Sequence, residues 1–326
     1  MTDLAFTSNT LTAIARFIAA TALGAALALT NMALPTSATP VSVASFDFPN
    51  KLLAQILYEV PNSPPGPGGT VRMGRVLARG HFVIPRNAPL HLYLKADSVN
   101  NMQFIEKLKG LPVKVIEASG LDIEDKHLAF FKDFHNLKDL NLCGSYITDQ
   151  GLESICRFSH LTQLRVSRSN IRGETFKKLS ALKDLDIFVC GNTVLKKGSL
   201  PTLKPILPQL VNLDLGHTGM TKEDARALQF LDKIERLDLS ANTDLDNSIV
   251  PQLAHCKHLQ FLHVEDTAIT SKCLAQLQKI ASLQTVYVRR KQFWPAYARP
   301  PRDCKFKIED IADHSDATMD ILMPLH

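Results

Sequence analysis

The sequence predicts an α/β solenoid, with a curved parallel β-sheet on the inside and helices on the convex side. Three observations support this prediction. An apolar pattern of the type Leu-x-x-Leu-x-Leu recurs about every 24 residues, a polar residue follows most copies where the strand would end, and the second half of a copy has helical apolar spacing. Because no single copy can bury its own apolar face, about seven to eight copies are expected to stack between two caps.

The composition of the chain is that of a folded globular protein. Its 326 residues are 45% hydrophobic and 21% charged, which is enough apolar material for one large domain or two ordinary ones. The 15 glycines and 18 prolines are too few for a collagen-like or low-complexity chain. Lys and Arg outnumber Asp and Glu by only 37 to 32, so the overall charge does not indicate nucleic-acid binding. The six cysteines show no CxxC pair, and most are expected to be small core residues.

The repeated unit is clearest at residues 137–152, where the leucine pattern begins at Leu137 and ends at Leu142. Leucines of period two predict a short strand with a buried inner face, and residues 151–158 predict a returning helix. Copies begin at Val113, Leu137, Leu161, Leu182, Leu210, Ile234, Leu259 and Leu283, at spacings of 24, 24, 21, 28, 24, 25 and 24 residues. The 28-residue copy carries extra length at residues 196–205, which predicts a longer loop or helix there. The polar residues expected to bond the turning backbone at the strand exits are Ser145, Ser169, Thr218, Asn242 and Thr267.

This repeat resembles the leucine-rich-repeat family. The resemblance covers about residues 89–293, roughly two thirds of the chain. The segments at residues 147–152 and 267–270 are similar to bacterial repeats and to the cysteine-containing repeats of eukaryotes. The resemblance implies a non-enzymatic module that binds a protein partner through outward strand positions on its concave face.

The amino terminus has the pattern of an export signal. Arg16 is followed by an uncharged apolar run over residues 17–35, and small residues then offer cleavage sites after Ala38 and after Ala44, of which the second is favoured. A helix of this length would also span a bilayer core of about 30 Å. Residues 1–44 are therefore predicted to be a signal peptide or an uncleaved membrane anchor of a secreted or cell-envelope protein. The alternative is a helix buried in the folded domain.

Both ends of the array need a cap, because an open solenoid exposes its core. Residues 45–88 are predicted to form the amino-terminal cap, with a Pro/Gly-rich loop at 62–70 and two strands around a turn between Gly80 and Leu94. Residues 294–326 are predicted to form the carboxy-terminal cap and tail. The residues expected to cover that end are Phe293, Trp294, Tyr297, Pro300 and Pro301. The chain from Asp303 onward is expected either to form a ragged tail or to pack back through Phe306, Ile308 and Ile311.

The candidate contact residues lie at outward positions of the concave strands. Aligning the copies places Glu117, Asn141, Arg165, Asp186, Asp214, Asp238, His263 and Tyr287 in one column. Parallel strands lie about 4.8 Å apart, so Asp186, Asp214 and Asp238 are expected to form an acidic row that favours a Lys- or Arg-bearing partner or a cation. The alternative is that these acids keep the sheet soluble and accept hydrogen bonds. The predicted contact residues are Asp139, Asn141, Arg165, Asp184, Asp186, Asp214, Asp238 and His263.

A basic segment with interleaved aromatic residues follows the last repeat. Its candidate residues are Arg289, Arg290, Lys291, Arg299 and Arg302. Such a segment could bind phosphates, an acidic polysaccharide or an anionic membrane surface. The alternative is a solvated part of the cap, and the export signal argues further against a nucleic-acid partner.

No catalytic or metal signature stands out. The chain has no HExxH, GxSxG or GxGxxG motif, and the cluster at residues 255–258 (His-Cys-Lys-His) lacks a second Cys/His pair that would complete a metal site. The sequence therefore predicts a protein without enzyme activity, cofactor or metal. An enzyme that uses the array as a scaffold is an alternative, and it requires a deep pocket with converging titratable groups.

One further alternative rests on residues 48–57, which resemble the start of an F-box. This short helical module precedes similar repeats in eukaryotic ubiquitin-ligase adaptors. In that alternative the protein is cytosolic and residues 46–60 form a helix that binds a partner.

Overall fold

The computed structural model describes residues 41–61, 64, 70–294 and 304–311. Twelve strands form one sheet in the order β14-β13-β12-β11-β10-β9-β8-β7-β6-β5-β2-β3, and β1 and β4 form a separate two-stranded sheet. The strands are β1 Val43–Phe48, β2 Ala54–Glu59, β3 Met73–Leu77, β4 Gly80–Pro85, β5 Leu90–Leu94, β6 Val113–Glu117, β7 Asp139–Asn141, β8 Gln163–Arg165, β9 Ile187–Val189, β10 Asn212–Asp214, β11 Arg236–Asp238, β12 Phe261–His263, β13 Thr285–Val288 and β14 Lys307–Asp310. Residues 1–40 of the predicted export segment lie outside the described residues. In the described part of the chain, no helix combines the length and the hydrophobicity needed to span a membrane.

The repeating part of the sheet confirms the predicted solenoid. Strands β5 to β14 are parallel, and the central residue of each repeat strand pairs with the central residue of the next. These central residues are Ile116, Leu140, Leu164, Phe188, Leu213, Leu237, Leu262 and Val286, and none is more than 1% exposed. Each copy therefore contributes one inward layer to a continuous core, as stacking requires.

The register predicted for the fourth copy is wrong. Phe188, and not Leu185, pairs with Leu213 of the next strand, so the inward residues of this copy are Leu185, Phe188 and Cys190. Phe188 and Cys190 have no exposed surface, whereas Ile187 lies partly exposed at an outward position. The corrected register removes the irregular spacings, since successive strand centres are now 24 or 25 residues apart.

Strands β6 to β12 each exit through a residue in the left-handed conformation, with φ between 53° and 70° at Gly120, Gly144, Arg168, Asn192, His217, Ala241 and Asp266. In later copies the side chain of the next residue donates a hydrogen bond to a backbone carbonyl oxygen near the end of the strand. The hydroxyl of Ser169 donates to Val166 O at 2.6 Å, that of Thr218 to Leu215 O at 2.8 Å and that of Thr267 to Val264 O at 2.6 Å. Asn242 Nδ2 donates to Leu239 O at 3.0 Å. The predicted structural role is therefore confirmed for these residues, while Ser145 Oγ has no hydrogen-bond partner in the described region.

The convex side is built from short helices, most of them 3₁₀ rather than the expected α-helices. The α-helices are α1 Ala96–Val99, α2 Asp149–Ile155, α3 Lys222–Ala225, α4 Leu274–Leu277 and α5 Arg290–Phe293. The 3₁₀ helices are Met102–Leu108, Asp125–Phe131, Phe176–Ala181, Leu200–Leu203, Leu207–Gln209, Arg226–Phe230, Asn247–Leu253 and Ser271–Cys273. A 24-residue copy leaves few residues for the return, and prolines at 201, 208 and 251 remove helical donors, so tight short turns are favoured.

The amino-terminal cap is made of strands. Strand β2 pairs antiparallel with β5, which is the first strand of the parallel series, and β3 pairs antiparallel with β2. The two strands predicted between Gly80 and Leu94 are present as β4 and β5, but they pair with β1 and with β2 and β6 rather than with each other. Residues 46–60 contain the end of β1 and all of β2, and no helix. The helix required by the F-box alternative is therefore contradicted.

The carboxy-terminal end is covered by aromatic residues and one added strand. Phe293 is 2% exposed and packs edge-on against Trp294, with ring centroids 5.3 Å apart. Strand β14 pairs in parallel with β13, and Phe306 is buried in the core. Residues 304–311 therefore pack back onto the array and do not form a ragged tail. Tyr297, Pro300 and Pro301 lie outside the described residues.

Candidate functional site

The concave sheet presents two columns of outward side chains, one on each side of the buried strand centre. The first column is Asp139, Gln163, Ile187, Asn212, Arg236, Phe261, Thr285 and Lys307. The second column is Glu117, Asn141, Arg165, Val189, Asp214, Asp238, His263, Tyr287 and Glu309. The predicted contact residues found in these columns are Asp139, Asn141, Arg165, Asp214, Asp238 and His263.

Asp184 and Asp186 do not belong to either column, because the fourth copy has a different register. Val189 occupies the position expected for Asp186, so the predicted row of three aspartates is wrong and only Asp214 and Asp238 are neighbours. Asp186 lies just before β9, where burial raises the pKa of its carboxyl group. Asp184 is exposed and lies 3.3 Å from His160 Nδ1 and 3.9 Å from Lys138 Nζ.

Polar side chains on the amino-terminal half of the concave sheet bond to one another. Arg165 Nη1 donates to Asp139 Oδ1 at 2.6 Å, and Arg165 Nη2 donates to Gln163 Oε1 at 2.5 Å. Asn141 Nδ2 donates to Glu117 Oε2 at 2.8 Å. Asp139 is therefore neutralised by Arg165, whereas Glu117 is hydrogen-bonded by Asn141 but has no Lys or Arg partner among the described residues.

The carboxylates of Asp214 and Asp238 have no such compensation. Each accepts a backbone hydrogen bond two residues further on, Asp214 Oδ1 from Gly216 N and Asp238 Oδ1 from Ser240 N, both at 2.8 Å. A Cβ atom added to Gly216 would lie 3.3 Å from the first oxygen and 3.1 Å from the second, so the two carboxylates flank the same glycine. In the described part of the chain, neither carboxylate forms an ion pair with Lys or Arg. Burial and the charge of Asp238 raise the pKa of Asp214 to about 7, and burial also raises the pKa of Asp238.

His263 continues the column beside this acidic pair. Its Nδ1 lies 3.3 Å from Glu265 Oε1, and its ring stacks on Tyr287 with centroids 4.0 Å apart and planes inclined by 11°. Burial favours the neutral ring, but the hydrogen bond to Glu265 and the charges of Asp238 and Asp214 outweigh it and raise the pKa of His263. Glu265 Oε2 is buried and has no hydrogen-bond partner in the described region.

Further residues of this surface were not among the predicted contacts. The guanidinium of Arg236 lies over the ring of Phe261, 4.4 Å from its centroid, and Phe261 is partly exposed. Both residues belong to the first column, whereas the alignment of the copies in the sequence considered only the second column. We define the acidic-aromatic patch by its members, which are Asp214, Arg236, Asp238, Phe261, His263, Glu265 and Tyr287. It combines acids that have no Lys or Arg partner in the described region with the aromatic side chains that dominate many protein interfaces.

The predicted basic segment is only partly described. Arg289 Nη2 donates to Asp266 Oδ2 at 2.6 Å, so its charge is compensated. The backbone N–H of Arg290 donates to Asp310 Oδ1 at 2.8 Å, and Lys291 is exposed. Arg299 and Arg302 lie outside the described residues. Binding of an anionic surface or polysaccharide by this segment stays a prediction.

The described residues show no metal-binding arrangement. No group of three or more His, Cys, Asp or Glu side chains in that part of the chain is placed to hold a metal ion. Cys256 is 1% exposed, its Sγ donates to Leu231 O at 3.4 Å, and burial raises the pKa of its thiol to about 12. A surface cavity of about 200 Å³ lies beside Phe134 on the convex side, where Lys109 and Asp133 form an ion pair at 3.1 Å.

A strand, a left-handed turn and a short convex helix, repeated every 24 to 25 residues, define a leucine-rich-repeat solenoid. In such solenoids the concave sheet is the usual surface for macromolecular partners. No protein-family model and no curated protein matches the sequence.

Several solved structures are similar to this chain. Internalin C2 from Listeria monocytogenes is 18% identical over 61% of this chain and 80% of its own, with a TM-score of 0.46. An LRR protein from Leptospira interrogans is 17% identical over 57% of this chain and 45% of its own, with a TM-score of 0.44. A plant peptide hormone receptor, RGFR1, in complex with RGF2, is 17% identical over 55% of this chain and 32% of its own, with a TM-score of 0.39. This chain thus spans less than half the length of the last two.

Proposed function

We propose that this chain is a non-enzymatic, protein-binding module that is exported or membrane-tethered, and that it binds a Lys- or Arg-bearing partner on its concave face. The observation that carries the proposal is the pair of neighbouring carboxylates, Asp214 and Asp238, that no described Lys or Arg neutralises. The other predicted acid in the columns, Asp139, is paired with Arg165. We therefore expect a cationic side chain of the partner to bind most favourably at the acidic-aromatic patch.

The physical basis is the repulsion between two partly buried carboxylates. A guanidinium or ammonium group placed between them would remove that repulsion and form charge-assisted hydrogen bonds, each contributing about 1.5–3 kcal/mol. Phe261 and Tyr287 are partly exposed and add flat apolar area next to the charged site. Charge and aromatic surface together favour a basic protein segment over an acidic one.

The substitution pair Asp214→Asn and Asp238→Asn should abolish capture of a basic partner from the extracellular or envelope fraction. The amide oxygen of Asn can still accept the turn hydrogen bond, as Asn141 Oδ1 does from Cys143 N at 3.0 Å at the equivalent position. The fold should therefore be kept while the charge is removed, which circular dichroism checks. The measurement is affinity capture followed by mass spectrometry.

The matched control for this capture experiment is Asp184→Asn, because Asp184 is an exposed acid outside both columns. Its pull-down should equal that of the wild type. If the double variant also captured an unchanged set of basic proteins, the acidic-aromatic patch would not be the binding surface.

Export predicts a defined mature amino terminus. Strand β1 begins at Val43, and Ala44 is 4% exposed and pairs with Ile84. Cleavage after Ala44 would remove the start of this strand, whereas cleavage after Ala38 leaves it intact. We therefore expect sequencing of the mature protein to begin at Thr39. A mature chain that begins at Ser45 would contradict this expectation, and an intact chain in the membrane fraction would identify residues 1–38 as an anchor.

A further inference from the structure

The amino-terminal edge of the large sheet is strand β3, which among the described strands of that sheet neighbours β2 alone. In an antiparallel pair of strands, every second residue directs its backbone N–H and C=O groups to the neighbouring strand, and the residues between direct theirs away from it. Val60 N donates to Arg72 O at 2.9 Å and Ala78 N donates to Ala54 O at 2.8 Å, which shows that the even-numbered residues face β2. The N–H and C=O groups of Met73 and Arg75 therefore point to the free edge, where the described residues provide no partner.

Apolar side chains accompany these unpaired backbone groups. Val71, Met73 and Leu77 are 58%, 39% and 38% exposed, and they lie on the same face of the edge as Arg75. Large apolar side chains with this much exposed area are uncommon in the described part of the protein, and most of them belong to the amino-terminal cap. An alternating apolar strand with a free backbone is the form of surface to which an extended peptide adds as a further strand.

The charge of this edge is strongly positive. Arg72, Arg75 and Arg79 are exposed, and their side chains form no ion pair or hydrogen bond with the described residues. Residues 41–95 contain six Lys or Arg and two Asp or Glu, a net charge of +4. Both acids are already engaged, Asp47 with His81 at 2.8 Å and Glu59 with Lys114 at 3.0 Å. The cap therefore offers cations without acids to neutralise them.

These charges decide which occupant fits. Two copies of this chain that joined edge to edge would bring their arginines together, and like charges on paired strands are unfavourable. A membrane surface would satisfy the arginines but would leave the backbone groups of Met73 and Arg75 without partners. An acidic peptide satisfies both the charges and the backbone.

We propose that residues 71–79, here named the β3 edge, bind an extended acidic segment of a partner protein by strand addition. The backbone of Met73 and Arg75 pairs with the segment, and its Asp or Glu side chains lie beside the arginines. Apolar side chains of the segment cover Val71, Met73 and Leu77. This surface is opposite in charge to the acidic-aromatic patch and independent of it.

The test uses the full chain and a fluorescent peptide of sequence Val-Glu-Glu-Glu-Leu-Glu-Val, with binding measured by fluorescence anisotropy. In antiparallel addition its Val and Leu side chains fall opposite Leu77, Met73 and Val71, and its Glu side chains fall opposite Arg75 and Arg72. The double reversal Arg72→Glu and Arg75→Glu should weaken binding by about tenfold or more. The matched control is Arg86→Glu with Lys95→Glu, which makes the same change in net charge elsewhere in the cap and should leave the affinity within about twofold. Circular dichroism confirms that each variant is folded.

A second variant separates strand addition from charge attraction alone. Met73→Pro removes an N–H that points to the free edge, where a sheet tolerates proline, and keeps every charge. Binding of the acidic peptide should fall by about fivefold or more. Unchanged binding by this variant, or equal losses in the two double reversals, would overturn the proposal. Binding to vesicles of equimolar phosphatidylserine and phosphatidylcholine without binding to the peptide would also overturn it.

Discussion

Replacing Asp214 by Asn should stabilise the folded protein by about 2–4 kcal/mol at pH 8 and leave its stability nearly unchanged at pH 4. Burial and the neighbouring charge of Asp238 raise the pKa of Asp214 to about 7 in the folded protein, from an ordinary value of 3.8. The folded state therefore favours the protonated carboxyl group. The ionised group opposes folding.

The direction of the pH dependence follows from this raised pKa. Below the ordinary pKa, the group is protonated in both states, and it makes no charge-dependent contribution. As pH rises through the interval from about 4 to 7, the unfolded chain ionises first and the stability of the wild type falls. Asn cannot ionise, so the variant lacks this loss.

The measurement is the free energy of unfolding in urea at several pH values between 4 and 8. Asp184→Asn is the control, because a substitution at an exposed site is expected to change stability by no more than about 0.5 kcal/mol. Parallel stability curves for the wild type and Asp214→Asn over this range would contradict a buried, uncompensated carboxylate at this position.

Replacing Phe188 by Ala should destabilise the protein by about 3–5 kcal/mol, whereas replacing Ile187 by Ala should cost less than about 1 kcal/mol. Phe188 has no exposed surface, and its ring packs edge-on against Phe176 with centroids 5.8 Å apart. Its removal leaves a cavity in the core between strand β9 and the 3₁₀ helix that contains Phe176. Ile187 lies partly exposed in the first concave column, where a smaller side chain leaves no cavity.

Unfolding of both alanine variants in urea distinguishes the two possible registers of the fourth copy. The register that places Ile187 inward requires the opposite order of effects. A larger loss for Ile187→Ala than for Phe188→Ala would therefore restore the register expected from the sequence and return Asp186 to the concave column.

Most of the fold can be predicted from the sequence because one physical requirement repeats with it. A strand centre such as Leu140 or Leu213 has to be apolar in every copy, so the period and the inward positions are visible without coordinates. The register of the fourth copy is predicted wrongly because Leu185 and Ile187 also fit the apolar pattern. They lie three residues before Phe188 and Cys190, which occupy these positions in the structure. Only lateral pairing with the neighbouring strands distinguishes the two solutions. The added strand β14 has no repeat pattern and could not be predicted from periodicity.

The candidate site is predictable only where it depends on that period. Asp214, Asp238 and His263 fall in one column because their copies are regular. The pairing of Asp139 with Arg165 depends on the conformations of side chains on neighbouring strands, which no sequence pattern specifies. The contributions of Phe261 and Arg236 also require the geometry, because each residue alone resembles an ordinary surface position of a strand.

The neighbouring carboxylates of Asp214 and Asp238 link the stability of the protein to the proposed function of its concave face. Two adjacent carboxylates, with raised pKa values and without a Lys or Arg partner in the described region, are expected to weaken the fold at neutral pH, whereas Asp139 is paired with Arg165. Strain of this kind persists in proteins where a ligand relieves it. We therefore expect variants that stabilise the fold at this position to bind the partner less well.

The central claim is that Asp214 and Asp238 bind a cationic group of the partner, and calorimetric titration tests it most directly. The captured basic protein is titrated at pH 8 into the wild type, the Asp214→Asn and Asp238→Asn double variant, and the Asp184→Asn control. The account predicts an affinity for the double variant that is weaker by about 30-fold or more, with the control equal to the wild type. Equal affinities for the double variant and the wild type would contradict it.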